Sequence, residues 1–217
     1  MRLLAELIES ADPALPVIRQ WLAEATKPCE LLSPSDARGA VLVELQVTTR
    51  SPLGAIAYET GGVLVDHGWL RILGGGHPKL PRNLADWNRG RSSGFCLVAD
   101  DVAGGFFAIN GGGLGDDARS MYYRAPDSLR WEALDMGYSD FVRWALCDSL
   151  SDFYRGLRWK GWEADARSAG GDQCFTFYPF LWTREGSVES SSRKLVSAAQ
   201  QYALHAGSAS TLDAPDA

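Results

Sequence analysis

Short apolar runs separated by turn residues dominate the middle of the chain. One run, at 95–99, ends at Asp100 and Asp101, and another, at 106–109, ends at Asn110 and a row of glycines. Runs of this length bounded by Asp, Asn and Gly are typical of β-strands joined by tight turns. Two further extended pieces follow, and then a segment at 138–146 with apolar residues at helical spacing. The pattern predicts an α+β fold, an antiparallel sheet meander with flanking helices.

The segments around this meander are predicted to be mainly helical. Apolar residues recur at helical spacing from the N-terminus to residue 45. Ser51 followed by Pro52 predicts the start of a short helix, because serine caps free amide groups and proline suits the first helical turn. The other predicted elements are strands at 63–65, 69–73 and 174–178 and a closing helix at 190–204.

The length of the chain favours a single core. At 217 residues, one fold can bury roughly 70–75% of the surface that the unfolded chain exposes, so no second core is needed. The many aromatic residues are expected to fill that core. We predict a single α+β domain at 1–206 and, because apolar periodicity is lost, a disordered tail at 207–217.

Charge and cysteine usage narrow the function classes. The chain has 21 Lys and Arg against 27 Asp and Glu, a net charge of −6, which repels phosphate backbones and makes nucleic acid an unlikely partner. The four cysteines form no Cys-x-x-Cys pair, so we expect reduced thiols, no metal site and no cofactor. No stretch approaches the roughly 18 uncharged residues of a membrane helix, and acidic residues interrupt the N-terminal apolar run. We therefore expect a cytoplasmic protein that does not bind membranes.

Two double-aspartate sequences are the leading candidates for binding residues. Asp100 and Asp101, like Asp116 and Asp117, follow or separate predicted strands, and we expect both pairs to project into solvent from one end of the sheet. Such carboxylates suit a basic protein partner or a divalent cation, although aspartate is also common in turns because it bonds nearby amides. Trp182 is the aromatic residue most expected at a contact surface, and His67 is a further candidate binding residue.

Catalytic alternatives rest on a serine and a histidine. Ser92 lies in a Gly-x-Ser-x-Gly sequence, but the strand that a hydrolase needs before its nucleophile follows it here. His67 follows Asp66, and neighbouring residues on an extended chain point to opposite faces. A hydrolase site therefore requires either Ser92 or a set of residues brought together by folding. That set would comprise Asp66, His67, Asp100 and Asp101.

Several stretches in the same order carry a family resemblance: 59–62, 66–76, 98–101 with 104–112, and 177–183. Over about residues 1–205 they resemble an uncharacterised bacterial family, domain of unknown function 2625, which implies no established activity. Residues 52–147 also resemble the Smi/Knr-like (SUKH) superfamily in a short helix ending in glycines, an antiparallel meander and an aromatic-bearing helix. That superfamily includes immunity proteins that neutralise toxins. The resemblance implies a Smi/Knr-like core and a non-enzymatic, immunity-like binding role, whereas oligomeric state stays open.

Overall fold

The fold is built on one antiparallel sheet, in a computed structural model that describes residues 1–212. Each strand of the sheet pairs with the next along the chain, and a separate hairpin follows. The strands of the sheet are β1 (Cys29–Leu32), β2 (Gly62–Val65), β3 (Leu70–Leu73), β4 (Phe95–Asp101), β5 (Phe106–Asn110), β6 (Ser120–Arg124) and β7 (Trp131–Gly137). The hairpin consists of β8 (Gln173–Tyr178) and β9 (Ser192–Ser197). The predicted meander is confirmed.

Helices precede, interrupt and follow the sheet, so the α+β class is also confirmed. They are α1 (Leu4–Leu7), α2 (Leu15–Ala23), α3 (Arg38–Leu45), α4 (Pro52–Glu59), α5 (Leu84–Asn88), α6 (Tyr138–Ala145), α7 (Ser149–Phe153), α8 (Trp162–Ser168) and α9 (Ala198–Leu212). Within residues 1–212, none is both long and apolar enough to cross a bilayer.

Helix α4 begins where the local sequence predicts it. The Ser51 hydroxyl accepts a hydrogen bond from the Gly54 amide at 3.1 Å, and Pro52 occupies the first turn. The serine thereby satisfies an amide that lacks a partner inside the helix, while proline has no amide to leave unpaired.

Two strands were not predicted. β1 lies in a stretch without clear alternation, and it forms only by pairing with β2. The prediction of a helix at 190–204 is wrong for its first half, because Ser192 pairs with Tyr178 and Ser197 with Gln173 in the β8–β9 hairpin. Helix α9 then continues to Leu212, into the predicted tail; the prediction for 213–217 lies outside the described residues.

Strand register gives the sheet two different faces. One residue from each strand forms a row across the sheet: Glu30, Leu64, Arg71, Asp100, Phe106, Arg124 and Trp131. The closing helix covers this face, since the Phe106 ring lies 5.0 Å from that of Tyr202 on α9. On the other face, the rings of Phe107 and Phe141 on α6 are 5.0 Å apart. Side chains of neighbouring strand residues therefore enter different layers.

Candidate functional site

Asp100 lies inside a buried cluster of ionic groups. Its side chain is 1% exposed and accepts a hydrogen bond from Arg71 Nε at 2.6 Å. Its second oxygen pairs with Arg82. Arg71 also donates hydrogen bonds to three main-chain carbonyl oxygens. They belong to Asp101, at 3.1 Å, to Gly170, at 3.3 Å, and to Gln173. The cluster therefore ties the sheet to the segment between α8 and β8. Two guanidinium groups share one carboxylate, and Arg82 Nε is buried without a hydrogen-bond partner among the described residues.

Asp101 faces the opposite side of the sheet. Its carboxyl group accepts hydrogen bonds from the hydroxyls of Tyr123 at 2.8 Å and Tyr154 at 3.0 Å, and from the Gly105 amide at 2.8 Å. Burial raises the pKa of Asp101, and these three donors act in the opposite direction. The same burial raises the pKa values of Tyr123 and Tyr154. The Asp101 carboxyl group is thus a buried part of the core with hydrogen-bond donors on both of its oxygens.

The expectation that Asp100 and Asp101 project into solvent is wrong. β4 runs through both residues, so each side chain points into a layer that covers the sheet. The expectation of one shared end is also wrong, because Asp116 and Asp117 lie in the β5–β6 loop while Asp101 precedes the β4–β5 turn. Consecutive turns of a meander lie at opposite ends of its sheet.

Asp116 and Asp117 are exposed, as expected, and so is Asp135 of β7. The Tyr122 hydroxyl donates a hydrogen bond to Asp117 Oδ1 at 2.5 Å. This bond lowers the pKa of Asp117 and raises the pKa of Tyr122, which the charges of Asp116 and Asp135 raise further. Within residues 1–212, no Lys or Arg forms an ion pair with these three carboxylates. We call Asp116, Asp117 and Asp135 around Tyr122 the acidic end.

His67 lies at the opposite end, in the β2–β3 turn. Its φ of 65° and the φ of 51° at Asp66 are both left-handed, a conformation in which Asp and His are among the commoner side chains. Arg167 Nη2 of α8 lies 2.9 Å from His67 Nδ1. Both residues line a groove of about 630 Å³ with Lys79, whose ammonium group lies 2.6 Å from Glu30. We call this cavity the His67 groove.

Trp182 is half-buried by its own chain. Its ring stacks on Phe180, with centroids 4.3 Å apart and planes 6° apart, and lies 5.4 Å from the His205 ring in an edge-on arrangement. Trp182 is therefore mainly involved in packing the segment after β8 against α9. A contact role for Trp182 stays a prediction.

The residues of the catalytic alternatives have separate partners. The Ser92 hydroxyl lies 3.0 Å from Asn88 Oδ1, and its hydrogen bonds involve no histidine. Asp66 pairs with Arg158 at 2.6 Å, while His67 contacts Arg167. No described hydrogen bond joins Asp66, His67, Asp100 or Asp101 side chains to one another. Among residues 1–212, no group of three or more His, Cys, Asp or Glu could hold a metal ion.

The arginines were the functional residues that sequence reasoning did not find. Arg71 lies within the apolar run 69–73, and a charged side chain inside a buried strand indicates a buried counter-ion. This position in the sequence could therefore have predicted that Arg71 has a buried partner. Arg158 and Arg167 had none, because their partners in the β2–β3 turn are about 90 to 100 residues away along the chain.

These features define an α+β protein with an antiparallel meander, a buried ionic cluster and two differently charged ends. The chain belongs to the family described as protein of unknown function DUF2625, whose model matches residues 4–201. The resemblance to that family is thereby confirmed.

Two relatives cover most of the chain. It is 45% identical over 208 residues to the "Putative uncharacterized protein YbfG" of Escherichia coli K12, covering 94% of this chain and 95% of the relative. It is 42% identical over 189 residues to an "Uncharacterized protein" of Haemophilus influenzae, covering 83% of each. No solved structure matches significantly, so the Smi/Knr-like resemblance stays a prediction.

Proposed function

We propose that this protein is a non-enzymatic, cytoplasmic binding module that docks a basic segment of a partner protein at the acidic end. The observation that carries the proposal is the convergence of Asp116, Asp117 and Asp135 on Tyr122 without a pairing Lys or Arg in residues 1–212. Unpaired carboxylates of this kind produce a local negative potential, which steers and selects a basic partner.

The acidic end is held in place by the sheet. Asn110, the last residue of β5, donates hydrogen bonds to the carbonyl oxygens of Gly115, at 2.8 Å, and Asp117, at 3.3 Å. The Asn110 side-chain oxygen accepts bonds from the amides of Gly112 and Leu114, at 2.8 and 3.1 Å. One buried asparagine thus fixes the loop that carries Asp116 and Asp117. A pre-ordered loop loses less conformational entropy on binding than a free one.

The Smi/Knr-like resemblance suggests a biological role for this binding site, the neutralisation of a toxin. A toxin-neutralising immunity protein works by occupying a surface of its target, and an acidic docking site suits a basic target. Free thiols at all four described cysteines support the cytoplasmic part of the proposal.

The test compares two variants of equal charge. Asp116→Asn, Asp117→Asn and Asp135→Asn together remove three negative charges from the acidic end. The control, Glu24→Gln, Glu163→Gln and Glu189→Gln, removes three exposed negative charges elsewhere. Each protein is used to capture partners from native lysate, and the affinity of a captured partner is then measured at low and high salt.

We expect a saturable partner that binds the wild type and the control equally and the acidic-end variant at least about tenfold more weakly, with affinity falling as salt rises. The proposal fails if no partner saturates, or if the acidic-end variant binds as tightly as the control.

A further inference from the structure

The His67 groove has the size and lining of a small-molecule site. Its volume of about 630 Å³ lies within the roughly 300–1,000 Å³ typical of such sites. Leu64 and Arg71 of the sheet are among its lining residues, and Pro28, Pro78 and Ala169 add apolar surface. The ionic groups of the sheet that line the groove are paired, Arg71 with Asp100, which Arg82 shares, and Glu30 with Lys79. The apolar part of the lining suits an apolar molecular body, while Asp172 is a lining carboxylate that forms no ion pair within residues 1–212.

Arg167 provides the charge at the edge of this groove. It is exposed and, within residues 1–212, forms no ion pair with a carboxylate. Lys79, the other exposed cation of the groove, is paired with Glu30. A guanidinium presents parallel donors that match a carboxylate or phosphate in a two-point contact. Arg167 is thus the cation of the groove that remains available to an anion.

The position of His67 beside Arg167 is set by buried contacts. Asp66 is 5% exposed and pairs with Arg158, whose guanidinium lies 3.8 Å from the centre of the Trp162 ring and 5.0 Å from that of Trp69. The Asp66 amide also donates to the Pro28 carbonyl at 2.7 Å. These contacts hold the turn in its left-handed conformation and keep the imidazole against Arg167.

We propose that the His67 groove binds a small organic anion, with its carboxylate or phosphate head on Arg167 and His67 and its apolar body over Leu64 and the prolines. The inference is independent of the basic partner proposed above, because that site lies at the other end of the sheet. Arg167 supplies the charge-assisted hydrogen bonds, and an imidazole ring nitrogen supplies a further one.

The test uses benzoate and phenyl phosphate as probes and benzamide as their neutral counterpart. Binding is followed by NMR through the His67 ring signals and the amides of 66–69 and 166–172. The variants are Arg167→Gln, the conservative Arg167→Lys, and Arg19→Gln as a control at an exposed helical arginine outside the groove lining. Unchanged spectra elsewhere report that each variant is folded.

We expect saturable shifts at these amides with at least one anion, and at least about tenfold weaker binding for benzamide and for Arg167→Gln. Arg167→Lys should retain part of the affinity, and Arg19→Gln all of it. Stronger binding of benzoate assigns a carboxylate ligand, and stronger binding of phenyl phosphate a phosphate ligand. The proposal is overturned if neither anion saturates at millimolar concentration, if benzamide binds equally well, or if Arg167→Gln binds as tightly as the wild type.

Discussion

Asp100 and Asp101 are consecutive residues of β4, yet their carboxyl groups lie on opposite faces of the sheet and have opposite chemical surroundings. Asp100 is the counter-ion of Arg71 and Arg82. Asp101 is surrounded by neutral donors, the hydroxyls of Tyr123 and Tyr154. The two residues are equally buried, so they form a matched pair for measuring the effect of removing one charge.

Neutralising Asp100 is expected to destabilise the protein far more than neutralising Asp101. Asp100→Asn leaves two buried guanidinium groups without a counter-ion and should lower the free energy of unfolding by about 3–5 kcal/mol. Asp101→Asn retains an oxygen for the tyrosine hydroxyls and should lower it by about 1–2 kcal/mol. Urea unfolding of both variants measures the difference. Equal losses would contradict the assignment of Asp100 as the counter-ion.

His205 is expected to make stability depend on pH below neutrality. Burial, with a smaller contribution from the charge of Arg124, lowers the pKa of His205 to about 3, whereas its value in the unfolded chain is about 6.5. Between these values only the unfolded state binds the proton, so the contribution of His205 is present above pH 6.5 and is lost as pH falls toward 3. At pH 4.5 the loss should be about 2–3 kcal/mol.

The variant His205→Gln isolates this effect. Denaturant unfolding at several pH values should give a smaller fall in stability between pH 6.5 and 4.5 for the variant than for the wild type, since the other titrating groups are shared. An identical fall in both proteins would show that His205 is not buried in its neutral form.

Tyr122 is expected to control the ionisation of Asp117. The variant Tyr122→Phe removes the hydroxyl that donates to Asp117, so the lowered pKa of that carboxyl group should rise toward its ordinary value. An NMR titration that follows the side-chain carbon of Asp117 measures the change, with Asp36 as an internal reference. If the pKa of Asp117 does not rise, the Tyr122 hydroxyl does not donate to Asp117 in solution.

Gly105 is expected to be intolerant of a side chain. A methyl group at this position would collide with the Tyr123 hydroxyl and with Asp101 Oδ2. Gly105→Ala should therefore lower the free energy of unfolding by about 1–3 kcal/mol. Gly156→Ala is the control, because Gly156 is exposed and no atom lies within 4 Å of the position its methyl group would take. The control should change stability by no more than about 0.5 kcal/mol, and a similar loss in both variants would contradict this account.

The meander from β4 to β7 was predictable because local turn residues mark the connections between its strands, whereas β1 was not predicted. The helix cap at Ser51 was also predictable from local residues. The burial of Asp100 was not, since its counter-ions Arg71 and Arg82 lie 29 and 18 residues away along the chain. β9 was also beyond local reasoning, because Leu195 and Val196 fit a helix as well as a strand, and pairing with β8 decides between them.

The hydrogen bonds from Arg71 to the main chain at Gly170 and Gln173 join distant parts of the protein. A chain cut before Gly170 would leave those guanidinium donors without their acceptors and would expose Phe106, whose ring now packs against Tyr202 of α9. We therefore expect the meander to depend on its final forty-odd residues for solubility, and an isolated fragment of it to aggregate.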